Sequence, residues 1–178
     1  TDCLFSNFEF PNNLDSFGEY VLAGCHYLES VIFPDGITNI PTATFIDCIR
    51  LPWLNLPDTI TDIGDGAFMD CYNLVNVNMS DSITTLKANT FSGCVNLKQI
   101  ELSSRLTSIE DFLFGGCFEL KNIDIPDGVT KIGEGAFRNC ERLETISLPS
   151  ELKTIGKDAF HGCTIVKISE LPLSVESI

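Results

Sequence analysis

Cysteine recurs along this chain at an almost constant step. The first step is 22 residues and every later step is 23 residues, at Cys3, Cys25, Cys48, Cys71, Cys94, Cys117, Cys140 and Cys163. A fixed period of about 20–50 residues is typical of solenoids and propellers, in which one repeat forms one structural unit. The spacing therefore predicts a repeat array, and the function of such an array is expected on its surface rather than in a deep pocket.

Apolar residues keep the same register as the cysteines. When each cysteine is counted as position 1, apolar residues fill positions 4, 7, 9, 13 and 16, and position 21 is phenylalanine at Phe45, Phe68, Phe91, Phe114, Phe137 and Phe160. Before Cys25 the pattern persists with one residue deleted. We therefore predict one continuous domain, with a degenerate first repeat over residues 1–24, six regular 23-residue repeats over residues 25–163 and a partial last repeat over residues 163–178.

The columns also predict the local structure of each repeat. Positions 7–9 alternate apolar and polar residues, as in Ile123-Asp124-Ile125, and this period of two indicates a half-buried strand. A proline such as Pro126 follows, and it opposes further pairing because it has no backbone donor. Positions 13–16 predict a second, very short strand, and the Gly-x-x-Ala-Phe stretch predicts a helical turn. The predicted fold class is a repeat β-solenoid of about seven to eight coils, with a parallel concave sheet and with helical turns on the convex side.

The consensus unit Cys-x-x-Leu-x-x-Ile-x-Ile-Pro-x-x-Val-Thr-x-Ile-Gly-x-x-Ala-Phe resembles the BspA-like class of leucine-rich repeats. Residues 117–139 are similar to a near-consensus unit, and the resemblance covers residues 25–178 well and residues 1–24 loosely. It implies a surface-exposed or secreted protein that attaches to host matrix proteins, host cells or other microbes. It implies no catalytic residue and no cofactor.

Charge and hydropathy narrow the classes of partner. The chain has 11 basic and 25 acidic residues, a net charge of −14, and this acidity argues against nucleic acid because no basic stripe is present to neutralise phosphates. No run of 18 apolar residues occurs, so no membrane insertion is expected. The resemblance favours an extracellular or cell-surface location, and a cytoplasmic location is the alternative.

The cysteines themselves have two interpretations. Their place in one column of a periodic core favours free, buried thiols that pack as small apolar groups. Disulfide pairing between neighbouring coils is the alternative. No Cys-x-x-Cys motif occurs, so we predict no metal site.

The predicted binding surface is the outward side of the main strands, the main-strand face, which is concave in leucine-rich repeats. Trp53, the one tryptophan, belongs to this set, and tryptophan is enriched among residues that dominate binding energy. Amide and carboxylate groups surround it, so either a protein or a glycan is expected as the ligand. The candidate binding residues are Ile32, Trp53, Asn55, Asn76, Asn78, Gln99, Glu101, Asn122, Asp124 and Thr145.

A second candidate surface follows directly after the cysteines. Position 2 is apolar in four consecutive repeats, which we call the lateral ridge: Ile49, Tyr72, Val95 and Phe118. A contiguous apolar strip often marks an interaction site, although the same residues could be covered by the turn side of their own coil. We predict a non-catalytic protein-binding module of the adhesion or surface-antigen type. The alternative is a structural scaffold that self-associates through the ridge or its ends.

Overall fold

Thirteen short strands lie within the described residues, two in most coils. The computed structural model describes residues 3–168 and 170–178. In chain order the strands are β1 (Asn7–Glu9), β2 (Ser30–Ile32), β3 (Asn39–Ile40), β4 (Trp53–Asn55), β5 (Asp62–Ile63), β6 (Asn76–Asn78), β7 (Thr85–Leu86), β8 (Gln99–Ile100), β9 (Ser108–Ile109), β10 (Asn122–Asp124), β11 (Lys131–Ile132), β12 (Thr145–Ser147) and β13 (Thr154–Ile155).

Strands pair in parallel with the equivalent strands of neighbouring coils. The main-strand face holds the pairs β1–β2 and β10–β12 and the three-stranded sheet β4–β6–β8, and a second face holds β3–β5–β7 and β9–β11–β13. Partners are one 23-residue repeat apart, as in Leu54↔Val77 and Ile132↔Ile155. The chain is therefore a β-solenoid, and the period of the cysteines is the length of one coil.

The third side of each coil, positions 19–23, is the turn face, and it corrects one prediction. Alternate backbone N–H groups bond to the next coil, as in Phe68 N to Thr90 O at 2.9 Å and Asp70 N to Ser92 O at 2.8 Å, while those between them close tight turns, as in Met69 N to Gly66 O at 3.0 Å. An α-helix would use these donors within the coil. Within residues 3–168 and 170–178 the turn face is a ladder of tight turns, and the predicted helical turns are absent.

A left-handed backbone explains why this ladder is not helical. Positions 19 and 23 of each coil have positive φ, a conformation that interrupts a right-handed helix. Position 23 is therefore always a residue that tolerates this region. The residues at position 23 are Gly24, Asp47, Asp70, Gly93, Gly116, Asn139 and Gly162.

The core is built from stacked columns, as the pattern predicts. Phenylalanine rings of successive coils lie 5.2–5.8 Å apart between centroids and within 15° of parallel. In the first coil the buried Leu22 takes the place of the phenylalanine, and Phe10 stacks on Phe17 nearby with centroids 4.5 Å apart. No coil could bury its apolar face alone, so the stacking of neighbours creates the core.

The cysteines form a buried ladder of their own. Each thiol from Cys48 onward donates to a backbone carbonyl of the preceding coil, as Cys94 Sγ does to Phe68 O at 3.2 Å. Burial raises the pKa of the Cys48 thiol to about 12 and raises the pKa of Cys94 well above its usual range. Six cysteines are free, as the favoured interpretation has it, whereas Cys3 and Cys25 form a disulfide between neighbouring coils.

The number of coils is slightly smaller than predicted. Six complete coils of 23 residues lie between Cys25 and Gly162, and incomplete coils flank them. The prediction of seven to eight counted these flanking coils as repeats.

Candidate functional site

The alternation of the main strands places the candidate binding residues on one surface. In β4, Leu54 is buried while Trp53 and Asn55 are exposed, and β6 and β10 repeat this pattern. All ten candidate residues are exposed, from Ile32 in β2 to Thr145 in β12. Parallel register aligns them in columns, with Trp53 beside Asn76 and Asn55 beside Asn78.

Side-chain hydrogen bonds already connect part of this surface. Asn78 Nδ2 donates to Asn55 Oδ1 at 2.7 Å, and Thr145 Oγ1 donates to Asn122 Oδ1 at 2.6 Å. These bonds orient the amides along the coil axis and leave their remaining donors and acceptors directed to solvent. The surface is therefore a partly ordered array of amides, which suits directional recognition of a polar partner.

Among the described residues, strand pairing on the main-strand face stops between β2 and β4 and between β8 and β10. At the second junction Lys121 N still donates to Lys98 O at 3.3 Å, whereas the first lacks such a bond. Within residues 3–168, no backbone hydrogen bond joins residues 26–33 to residues 49–57.

The junction between β4 and β6 is closed, since Val75 N donates to Pro52 O at 2.8 Å and Leu56 N donates to Asn78 O at 3.1 Å. Pro52 occupies the position at which Val75 donates, and proline has no N–H group. The proline thus removes one ladder bond where the pairing of the sheet stops.

A cleft of about 520 Å³ lies at the junction between β2 and β4, and we call it the Trp53 cleft. The Trp53 side chain is 65% exposed and that of Ile32 is 56% exposed, so both present apolar surface to solvent. The cleft is lined by Ser30, Val31, Ile32, Phe33, Asp35, Trp53, Asn55 and Pro57. It brings together three of the candidate residues, Ile32, Trp53 and Asn55.

Two smaller grooves continue along the same face. One of about 210 Å³ contains Asn76, Asn78, Gln99 and Glu101. The other, of about 270 Å³, contains Gln99, Glu101, Asn122 and Asp124. The three hollows together include every candidate binding residue except Thr145.

The sequence analysis did not single out three contributors to the cleft. Pro52 lacks an N–H group at the junction where the cleft lies, and Asp35 and Pro57 line the cleft. The signal for Pro52 was available, because position 5 is proline in one repeat and Glu, Val or Lys in the repeats that begin at Cys25, Cys71, Cys94 and Cys117. Its consequence depends on the coil in front of it, which the strand pattern does not reveal.

The lateral ridge lies at the surface but is uneven. Tyr72 is 44% exposed and Phe118 is 39% exposed, whereas Ile49 and Val95 between and beside them are half-buried. The negative charge of Asp70 raises the pKa of the Tyr72 hydroxyl above its ordinary value. The ridge therefore presents two separated aromatic side chains rather than a continuous apolar strip.

The thiol and imidazole side chains lie in different parts of the coil. The free thiols from Cys48 to Cys140 lie in the core, and His161 is exposed at the turn face. In the part of the chain that the structure describes, no group of three or more His, Cys, Asp or Glu residues could hold a metal ion. Likewise, none of the described residues forms a helix that could cross a membrane.

Comparison with known families agrees with this architecture. A family model described as "BspA type Leucine rich repeat region (6 copies)" matches residues 1–117 and 61–178. No curated protein matches the sequence.

Solved structures of bacterial proteins share the fold. A leucine-rich repeat protein from Bacteroides ovatus superposes with a TM-score of 0.87 at 25% identity, over 96% of this chain and 44% of that chain. The leucine-rich repeat protein of T. pallidum gives a TM-score of 0.78 at 26% identity, over 97% of this chain and 72% of that chain. A leucine-rich cell surface protein from Faecalibacterium prausnitzii gives a TM-score of 0.54 at 26% identity, over 93% of this chain and 60% of that chain. The chain thus spans less than half the length of the Bacteroides ovatus protein.

Proposed function

Because the chain belongs to the BspA-type leucine-rich repeat family, we propose that it is a non-catalytic binding module whose main-strand face holds a protein partner. The observation that carries this proposal is the Trp53 cleft, where an exposed indole and an exposed Ile32 border a hollow of about 520 Å³. Buried tryptophan side chains dominate many protein interfaces, since they remove a large apolar area from water with little loss of conformational freedom.

The columns of polar side chains beyond the cleft provide directional hydrogen bonds that would orient a bound partner. Asn78 and Asn122 are held by hydrogen bonds across coils, while Glu101 and Asp124 add carboxylates farther along the face. An apolar anchor surrounded by ordered polar groups is the usual organisation of a protein interface. A glycan would use the same amides, and it is the alternative ligand in the experiment below.

We further propose an adhesion or surface-antigen role, in which the module attaches to host or matrix proteins or to cells. The Faecalibacterium prausnitzii structure is that of a cell surface protein, and this supports an extracellular or cell-surface location for the present chain. The Cys3–Cys25 disulfide fits the same location, because disulfides persist in oxidising compartments.

The test is capture of the purified chain on a panel of matrix proteins, glycans and host-type cell surfaces, beside a Trp53→Ala variant. We expect capture by at least one protein of the panel and a loss of at least tenfold in affinity in the variant. A double variant of the lateral ridge, Tyr72→Ala with Phe118→Ala, is the matched control, since it also removes exposed aromatic surface. Equal capture by the wild-type and Trp53→Ala chains would contradict the proposal.

A scaffold that self-associates through the lateral ridge is the second candidate. Its specific support is the exposure of Tyr72 and Phe118, which lie two coils apart on one side of the solenoid. Sedimentation velocity over a hundredfold range of concentration separates the two functions. Assembly that the double ridge variant abolishes supports the scaffold, and a persistent monomer supports the binding module.

A further inference from the structure

We propose that the Trp53 cleft binds an extended peptide segment of the partner, through main-chain hydrogen bonds and one basic side chain. This inference rests on the proposed function and specifies the chemistry of the partner. It follows from three properties of the cleft: unpaired backbone, exposed apolar side chains and an unpaired carboxylate.

The unpaired backbone is identified by comparison with the junction before it. Between β1 and β2, Ser30 N donates to Ser6 O at 3.1 Å and Phe10 N donates to Ile32 O at 3.0 Å. One coil later the equivalent bonds would join Trp53 N to Glu29 O and Phe33 N to Asn55 O. Neither bond forms within residues 3–168, and β2 does not pair with β4.

These groups border the cleft, since Phe33, Trp53 and Asn55 all line it. Along one edge of a strand the backbone donors and acceptors belong to every second residue, and the chain rises about 3.3 Å per residue, so an extended peptide matches their spacing. Addition of a peptide to an exposed strand edge is a general mode of recognition, in which main-chain bonds supply affinity. A sugar offers hydroxyl groups but no such repeat, so the cleft favours a peptide over a glycan.

The side chains around the cleft determine which side chains of the peptide are favoured. Ile32 and Trp53 form an apolar border that would cover an aliphatic or aromatic side chain. Asp35 is exposed at the edge and has no ion pair among the described residues, whereas the Glu29 carboxylate lies 3.9 Å from Arg50 Nη1. A lysine or arginine of the peptide would complement Asp35, in keeping with the net charge of −14.

The experiment uses a positional-scanning library of acetylated heptapeptide amides with one lysine each, and binding to the whole chain is measured by fluorescence polarisation. The best peptides are then made with N-methyl groups on alternate amides, one set for each edge of the extended peptide. We expect N-methylation of one set to weaken binding at least tenfold and N-methylation of the other set to have a small effect. Equal effects of both sets, or of neither, would overturn the proposal.

Pro52→Val is the variant that separates the open backbone from the tryptophan. Valine restores the N–H that Val75 has at the same position of the next coil, so the variant can close the ladder while keeping Trp53. We expect peptide affinity to fall at least tenfold in Pro52→Val, and the Trp53 amide, which exchanges rapidly in the wild-type chain, to become protected from hydrogen exchange. Slow hydrogen exchange of the Trp53 backbone amide in the wild-type chain would overturn the proposal, because this amide would then already be hydrogen-bonded.

Two outcomes separate this inference from the proposed function. If no pool of the library binds at 1 mM peptide while protein capture still depends on Trp53, the peptide inference is wrong and the binding function stands. If neither the library nor the capture panel shows binding that depends on Trp53, both are wrong. Asp35→Asn provides the charge test, since it should weaken the lysine peptides at least threefold and leave peptides with norleucine in place of lysine unchanged.

Discussion

Two neighbouring junctions of the solenoid differ although their core columns are the same. The coils of residues 48–70 and 71–93 are joined on the main-strand face by the β4–β6 pairing, whereas the coils of residues 25–47 and 48–70 have no backbone bond there within residues 3–168. Both junctions are closed on the turn face, where Phe45 N donates to Ala67 O at 2.8 Å and Phe68 N donates to Thr90 O at 2.9 Å. The turn face, the β3–β5 pairing and the core therefore hold the coils together, and the strands of the main-strand face can stop pairing between β2 and β4, and again between β8 and β10, without loss of the fold.

Substitution within the phenylalanine column should have the largest effect, because this column stabilises both junctions. Phe68 is fully buried and stacks on Phe45 and Phe91 with centroids 5.2 and 5.7 Å away, so it supports both junctions. We expect Phe68→Ala to lower the free energy of unfolding by about 3–5 kcal/mol, measured by urea denaturation. Phe118→Ala, at an exposed phenylalanine, is the control and should cost much less. Similar losses in the two variants would show that the buried column does not dominate stability.

The pH dependence of stability above pH 9 tests whether water is excluded from the core at the junction between β2 and β4. Burial raises the pKa of the Cys48 thiol from its usual 9.0 to about 12, so the folded chain keeps a proton that the unfolded chain releases. The stabilisation is complete below pH 9 and is lost as the pH rises towards 12, with a total effect on the order of a few kcal/mol. Denaturation at a series of pH values should show this decline, and a Cys48→Ala chain should decline less steeply. Identical slopes would mean that water reaches the thiol.

Substitution of a glycine at position 23 should have the third-largest effect on stability. Gly93 has φ of 72°, and we expect Gly93→Ala to destabilise the chain by about 1–2 kcal/mol because a Cβ is unfavourable in this region. Gly18→Ala is the matched control, since a Cβ at Gly18 would meet no atom within 4 Å. Thermal unfolding of the two variants measures the difference. Equal melting temperatures would mean that the turn face relaxes around the substitution.

The smallest expected change in stability comes from a substitution at the junction between β2 and β4. Pro52→Val should increase the free energy of unfolding by about 1 kcal/mol, because new backbone bonds to β2 outweigh the loss of the conformational restriction that proline imposes on the unfolded chain. Chemical denaturation measures the gain. A destabilised Pro52→Val chain would show that the gap between β2 and β4 has another cause than the missing N–H.

The candidate site was predictable in part. Strand alternation was enough to place Trp53, Asn78 and Glu101 on one exposed face, because successive side chains of a strand point to opposite sides. The same reasoning did not predict the contribution of Asp35 to the cleft. That residue is distant from Trp53 in sequence and reaches the cleft only through the stacking of two coils.

A period that is visible without coordinates fixes the length of the coil, the parallel register, the buried columns and the family. Three features instead depend on how the coils stack: the turn face is a ladder of left-handed turns rather than a helix, Cys3 and Cys25 are joined while six cysteines are free, and the main strands do not pair between β2 and β4 or between β8 and β10. The difference arises because periodicity reports which side chains are buried. The destination of each backbone N–H group depends on the neighbouring coil, and it is set when the coils stack.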